Sequence, residues 1–477
     1  MAEPTVRPGL DPPWWLEEAL DHEATLGPQA AAPPLEGELE VDVAVLGGGY
    51  TGLWTALALR ERDPSLRIAV LEKEIVGWGP SGRNGGFVHG YWTRMPSVQR
   101  LLGDERALEL LRAGARIVPA IQAFCAARGE DVWLRTKGYL KVSAAPAQDA
   151  VLERLARAAR ELGVEQEAVP LSKSELDARV RSPRFRSGLF FRDCATVQPA
   201  RLARALRRAL LADGIALHER TPVLRLRPGD PAVLRTPAGR VTAAEVVVAV
   251  NAAAAGWRPV AGRVTNFSSY VVLTEPVPEL LEAIAWTGDE PVSDCRMFLH
   301  YFRTTPDGRV LMGTGSGPIG YGGRLGPRLS ADAASVARAE LGLRRLLPEL
   351  RPARVTAAWG GPIDVSSDHL PVFATVPGTR LHYGVGYSGH GVGPAWLGGQ
   401  ILASLALRRD DEWTALPLVG RRLPWLPPEP LRFVGGAIVQ AASLACEEAE
   451  EERRRPPPIA RAVASVPRLL GLQIGTR

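Results

Sequence analysis

Residues 41–46, VDVAVL, are apolar apart from Asp42 and end on the glycine cluster GGGYTG. Beyond the cluster, apolar positions recur at helical spacing to about Arg62, and a second short apolar run, RIAVLE, follows. Strand, turn, helix and strand in that order predict the opening of a βαβ unit with a parallel sheet.

Helical periodicity returns from Met95 to Arg128 and from Gln148 to Leu162, with a predicted strand, GYLKVS, between. These elements read as a layer inserted outside the first sheet. QPARLARALRRALLADG predicts a helix with Pro199 in its first turn. It leads into the strands IALHERTPVLRLR and AAEVVVAVN, and the run Val246 to Val250 reads as a return to the parallel sheet. Residues 263–360 are strand-rich and include a hairpin, RMFLHYFR and RVLMGTG, turned at Asp307-Gly308. A strand at LHYGVG, a glycine cluster and a helix from Pro394 to Leu407 complete the pattern.

The predicted class is α/β. Segments 41–94, 195–262 and 355–410 form a discontinuous first domain, and 95–194 with 263–354 form an α+β second domain on an antiparallel sheet. Residues 1–40 are an arm, anchored by Trp14 and Trp15 in a helical patch, and 411–477 are a peripheral tail with helices. At 477 residues and 46% hydrophobic content the chain can bury cores for two domains.

Charge changes little. The net charge is +5, but 57 basic and 52 acidic residues are interspersed, so no basic stripe marks a nucleic-acid partner. Cys125, Cys194, Cys295 and Cys446 form no CxxC pair, which predicts neither a disulfide framework nor a metal site and fits a reducing cytoplasm. The start of the chain has no secretory pattern, and Phe433 to Cys446 is too short to span a bilayer, so a soluble protein is expected. In the tail, EEAEEERRR reads as a solvated helix end and IARAVASVPRLLGLQI as a docking helix or partner contact.

Chemistry concentrates in three glycine-rich places. Gly47, Gly49 and Gly52 fall on GxGxxG between strand and helix, with Tyr50 and Thr51 in the turn and the helix N-terminus aimed at a pyrophosphate. Glu72 ends the second strand, where an acidic residue accepts ribose hydroxyls. Early interruption of the unit favours FAD over NAD. The loop GWGPSGRNGGF offers Ser81, Gly82, Arg83, Asn84, Gly85 and Gly86 to a flat ring or a phosphate. GVGYSGHGVG places Gly386, Ser388, Gly389, His390, Gly391 and Val392 before a helix whose N-terminus would stabilise negative charge on a reduced flavin. His390 alone could equally be a satisfied loop histidine.

With VAVLGGGYTGLWTAL, GPSGRNGGF, EVVVAVNAAA and GYSGHGVG, the sequence resembles the glycine oxidase and D-amino-acid oxidase superfamily of FAD-dependent amine oxidoreductases. The resemblance runs from about Trp14 to Leu407 and is greatest to gamma-glutamylputrescine oxidoreductases and aminophosphonate oxidoreductases. It implies a glutathione-reductase-type, Rossmann-like FAD domain. Adenosine would lie near Glu72 and the Pro222-Val223 backbone, with Asn251 also at the cofactor. The flavin would face the sheet of the substrate domain.

Departures narrow the expectation. The carboxylate-gripping arginine of the amino-acid oxidases falls at Ile363, the lysines of sarcosine-type relatives fall at Gly393 and Leu311, and the flavin-linking cysteine falls near Gly360. The resemblance therefore implies non-covalent FAD and an amine other than a simple α-amino acid, with oxygen or another molecule as acceptor. The expected reaction moves a hydride from the carbon beside a neutral amine to flavin N5, and water then hydrolyses the imine. Candidate pocket residues are His89, Tyr91, His300, Tyr301, Arg303 and Trp359, with His390, Tyr301 and Arg303 as the catalytic set. Alternation puts Tyr301 and Arg303 on one strand face and His300 on the other, so not all can point inward, and Arg303 would meet an acidic substrate tail or else form a surface salt bridge. The alternatives are an amino-acid oxidase or dehydrogenase of the same superfamily, a non-catalytic flavin-binding protein and an NAD(P)-linked enzyme.

Overall fold

The computed structural model describes residues 12–469. The strand Gly37–Leu46 is exposed at its start and buried along its second half, because parallel neighbours flank it there. Gly239–Val248 pairs with it on one side and Ile68–Leu71 on the other. Ala216–His218 extends the sheet beyond Ile68–Leu71, and Leu381–Val385 extends it beyond Gly239–Val248. The helix Tyr50–Arg62 leaves the glycine turn and crosses Pro394–Ala406 closely, since a Cβ at Gly399 would stand 2.6 Å from Trp54 Cβ.

The second sheet has the order Val355–Ser366, Val264–Thr274, Val310–Thr314, His300–Thr304, Val292–Asp294, Tyr139–Ser143, Ser187–Phe191, Val169–Leu171. All its pairs are antiparallel except Val292–Asp294 with Tyr139–Ser143. Alternation gives this sheet two different faces. Val272, Phe302 and Met312 pack under the helix Ala333–Leu346. The opposite face is shared: Val271, Leu273, Leu311 and Trp359 lie beneath the N-terminal helix Trp14–Thr25, and Phe267, Ser269 and Tyr301 face the glycine-rich loops of the first sheet.

Several boundaries differ from the sequence expectation. Val355–Ser366, expected in the first domain, pairs along almost the whole of Val264–Thr274 in the second sheet. The expected long helix splits into Met95–Leu102, Asp104–Ala115 and Ile117–Arg128, with Gly103 at φ 74°. The Asp104–Arg128 run is, by length and composition, apolar enough to cross a bilayer, and it buries Leu110, Leu111, Ile117 and Ile121 in the main core. The tail is not peripheral: Leu431–Glu451 and Pro458–Leu469 are helices whose residues wall the main cavity. Within EEAEEERRR, Glu447 is buried and the Glu451 side chain is largely covered, both on Arg296 and Glu451 also on Arg345, because cations from distant segments meet them. Residues 470–477, the end of the expected docking helix, lie outside the described residues.

Candidate active site

A cavity of about 1250 Å³ runs from Glu72 and Val223, past the glycine turn, to Tyr139, Tyr301 and His390. At its first end, Gly47 at φ 101° turns the chain so tightly that a Cβ there would stand 2.4 Å from Ala249 O. Each carboxylate oxygen of Glu72 accepts one backbone N–H, from Gly48 at 2.8 Å and Glu74 at 2.9 Å. These bonds fix its rotamer and leave lone pairs for further donors. Burial raises the Glu72 carboxyl above its ordinary value. Ser81 Oγ accepts the Tyr50 N–H at 2.9 Å and ties the second glycine loop to the first.

In the middle of the cavity, Asp364 accepts the N–H of Gly386 and, at 3.1 Å, the side-chain amide of Asn251. Burial pushes this carboxyl up to about 6. Asn251 at φ 45° and Ser388 at φ 54° hold the left-handed region, a strain that clusters at binding sites.

At the far end the Tyr301 hydroxyl lies 2.6 Å from Ser269 Oγ, and the Tyr139 hydroxyl bonds Ser293 Oγ. Gly313, directly across the ladder from Tyr301, leaves the space that its ring fills. His89 and His390 meet edge to face with centroids 5.5 Å apart. Burial lowers His89 to about 4 and holds His390 well below its ordinary value, with Arg94 and His89 adding to the effect, so both imidazoles are neutral. Behind them lies the buried Arg94, whose Nη1 stands 3.2 Å from His390 Nδ1 and which burial lowers to about 10.

Most of the expected residues converge here. Gly47, Gly49, Tyr50, Thr51, Glu72, Ser81, Arg83, Asn84, Gly85, Val223, Asn251, Ser388, Gly389, His390, Gly391 and Val392 line the cavity, as do Tyr301 and His89. Gly52, Gly82, Gly86 and Gly386 stand behind the wall as turn formers. A Cβ at Gly52 or Gly82 would lie 1.9 Å from a backbone oxygen, and Gly86 and Gly386 have φ of 74° and 87°.

Other nominees lie elsewhere. Arg303 does not reach the cavity: its guanidinium donates to Val197 O at 2.6 Å and lies over the Trp15 ring, and burial lowers it to about 9. It is neither a surface salt bridge nor a substrate clamp, because alternation chose the right face but backbone carbonyls capture its long side chain. His300 is buried against Asp294 at 2.7 Å, Trp359 donates to Arg83 O at 3.0 Å, and Tyr91 sits in the core. Tyr139, Ser293, Asp364 and Arg94 join the site without having stood out in the sequence. The glycine at 313 opposite an aromatic is the one signal that points to this pocket.

The cavity suits an extended dinucleotide. Cβ atoms would fill its narrow turn, and the buried Asn251 Oδ1 and Thr265 Oγ1 on its wall have no protein partner. The model of the DAO family, FAD dependent oxidoreductase, matches residues 42–405. The chain belongs to this family. It is 31% identical over 389 residues to gamma-glutamylputrescine oxidoreductase of Escherichia coli, covering 79% of this chain and 86% of that protein. Glycine oxidase of Pseudomonas putida is 28% identical over 346 residues, 70% of this chain and 86% of that protein. Among solved structures, glycine oxidase from Geobacillus kaustophilus superposes with a TM-score of 0.67 at 23% identity, covering 80% of this chain and 99% of that one. As a DAO-family member the chain is an FAD-dependent oxidoreductase.

The cofactor end carries two tests. None of the four cysteines, all free thiols, lines the cavity. Acid precipitation of the yellow holoprotein is therefore expected to leave the colour in the supernatant, and colour in the pellet would contradict it. Glu72→Ala removes a carboxylate that orders two backbone N–H groups, and is expected to weaken FAD binding by about 1.5–3 kcal/mol, roughly tenfold to a hundredfold, in fluorescence titration.

Proposed function

We infer that this flavoenzyme oxidises the C–N bond of an amine borne on an extended chain, a gamma-glutamylputrescine-like substrate. The observation that carries the reading is that, among the described residues, no lining cation is placed to clamp an α-carboxylate. Ile363, at the position of the amino-acid oxidases' arginine, is on the wall. Of the lining cations, Lys73 and Arg225 lie among the residues of the Glu72 end, Arg83 donates to Trp78 O and Gly360 O, and Arg432 is paired with Glu429, while Arg94 stands behind the wall against His390 Nδ1. With Arg303 turned away, an aminophosphonate-like substrate loses its expected partner.

The turn at Gly47 to Gly52 with the following helix N-terminus would hold the pyrophosphate, Glu72 the ribose, and the Ser81 and Ser388 loops the flavin. Bound FAD supplies the hydride acceptor. Neutral His89 and His390, with the tyrosine hydroxyls of Tyr139 and Tyr301, give the far end hydrogen-bonding groups without fixed charge. Burying an ammonium there is costly, so the amine binds unprotonated and can release hydride from its neighbouring carbon. Water then hydrolyses the imine to a carbonyl compound and a free amine.

The test is anaerobic mixing of the holoprotein with an amine panel. Gamma-glutamylputrescine and related N-substituted diamines are expected to bleach the flavin and α-amino acids are not. No bleaching across the panel overturns the reading and favours a non-catalytic flavoprotein. An acceptor other than oxygen is also expected. Leu311, at the position of the sarcosine-type lysine whose loss argues against fast reaction with oxygen, is a buried apolar side chain beneath the N-terminal helix. Reoxidation of the reduced flavin should then be slower in air than with an artificial dye, measured by stopped flow.

A further inference from the structure

The two C-terminal helices carry their apolar residues on the wrong side for a core. Leu431, Val434 and Ile438, spaced i, i+3, i+7 on one helix, are 66%, 50% and 54% exposed. The buried side of the same helix holds Ser443 and Glu447 beside Val439 and Ala449. On the last helix Ile459, Val466 and Leu469 form a second outward stripe, 80%, 41% and 82% exposed. At about 100° per residue, Arg461 and Arg468 fall on the side opposite Ile459 and Val466.

The two stripes meet at the mouth of the cavity. Leu431 and Val466 line it, and so does Leu325, which is 44% exposed on a loop of the second sheet. Tyr321 from that loop packs edge-on to Phe433 at 5.5 Å. These helices lie beyond residues 42–405, the stretch matched by the family model.

We propose that this face docks on an anionic lipid bilayer, with both helices lying in its interfacial plane and the cavity mouth against the lipid. A helix with an apolar arc opposed by arginines has the form of an interfacial helix, and the 12 residues of Pro458–Leu469 are too few to span. The surrounding charge is complementary. Arg453, Arg455, Arg461 and Arg468 are exposed on and between these helices, as are Arg324 and the Asp332-paired Arg328 on the neighbouring loop. Of the nearby glutamates, Glu447 and Glu451 pair with Arg296, Glu429 with Arg432 and Glu452 with Arg454, which leaves Glu448 exposed against a larger number of exposed arginines. A second copy fits less well, because a self-complementary contact would set this arginine rim against itself. The proposal stands apart from the substrate reading and needs only the folded holoprotein.

The experiment is co-sedimentation of the FAD-loaded full chain with phosphatidylcholine vesicles, with and without phosphatidylglycerol. Binding is expected to rise by about tenfold or more with anionic lipid and to fall with added salt. The triple variant Ile438→Glu, Ile459→Glu, Leu469→Glu changes only exposed positions away from the cavity wall. It is expected to keep its flavin spectrum and lose vesicle binding by about tenfold. Failure of the parent chain to bind either vesicle overturns the proposal, as does unchanged binding by the triple variant. Absence of vesicle binding together with a dimer that the triple variant dissolves would assign the face to a second copy instead.

Discussion

Gly52→Ala is expected to yield protein that folds but purifies without flavin. The added Cβ would stand 1.9 Å from Gly47 O and 3.1 Å from Val45 Cγ1. A backbone oxygen inside a turn cannot swing away as a side chain can. The Tyr50–Arg62 helix must therefore move off the strand, which opens the turn and misdirects the N–H groups that would face the pyrophosphate. Gly47 is held in place, since its N–H donates to Leu71 O at 2.9 Å and a Cβ on it would stand 2.4 Å from Ala249 O. Gly256 provides the control: it is exposed away from the cavity wall, and a Cβ there would come no nearer than 3.4 Å to Gly323 O. Gly256→Ala is expected to retain its flavin, and Gly52→Ala to lose more than about nine-tenths of it, on the reasoning that overpacking at a ligand turn costs roughly 1–3 kcal/mol or more. The flavin-to-protein absorbance ratio reads both variants, with circular dichroism reporting the fold. Full flavin content in Gly52→Ala would refute the role given to this turn.

The contrast between these glycines also marks what the sequence could reveal. The turn and Glu72 belong to one short βαβ unit, so spacing alone placed the carboxylate beside the Gly48 N–H. The Ser81 and Ser388 loops were legible because a cluster of glycines between regular elements costs backbone entropy that close approach to a ligand can offset. The substrate end was harder. It is assembled from His89, Tyr139, Ser293, Tyr301 and His390, which come from separate stretches that only the two sheets bring together. Arg303 shows the limit of pattern: its strand face was correct, but the carbonyl of Val197 that captures it is 106 residues away in the chain. Val355–Ser366 hid for a local reason, since Gly360, Gly361 and Pro362 break the alternation that would identify a strand. In the tail, Glu447 and Glu451 looked like solvated charge because nothing in the local sequence points to Arg296 and Arg345.

Glu23→Ala is expected to destabilise the protein by about 3 kcal/mol, the cost of leaving buried guanidinium N–H groups of Arg204 and Arg208 without their acceptor. Glu23 is 3% exposed and Arg204 is 6% exposed. Glu23 Oε2 accepts Arg204 Nε at 2.8 Å, and Oε1 accepts Arg208 Nη1 at 2.9 Å. Arg204 keeps Glu219 at 3.3 Å and Arg208 keeps Glu130, so neither cation loses every carboxylate, but Arg204 Nε and Nη2 and Arg208 Nη1 lose their acceptor. By contrast, Asp213→Ala breaks the more exposed Arg128 pair and is expected to cost about 1 kcal/mol or less. The loss at Glu23 should also reach the cofactor. The Trp14–Thr25 helix that this network docks carries Trp15, whose indole donates to Asn84 O at 3.1 Å in the flavin-side loop. In urea titrations of Glu23→Ala, flavin release is therefore expected to shift to lower denaturant than in the parent, along with the tryptophan-fluorescence transition. A variant whose two transitions both match the parent would show that the N-terminal helix lies against the body without holding the loop.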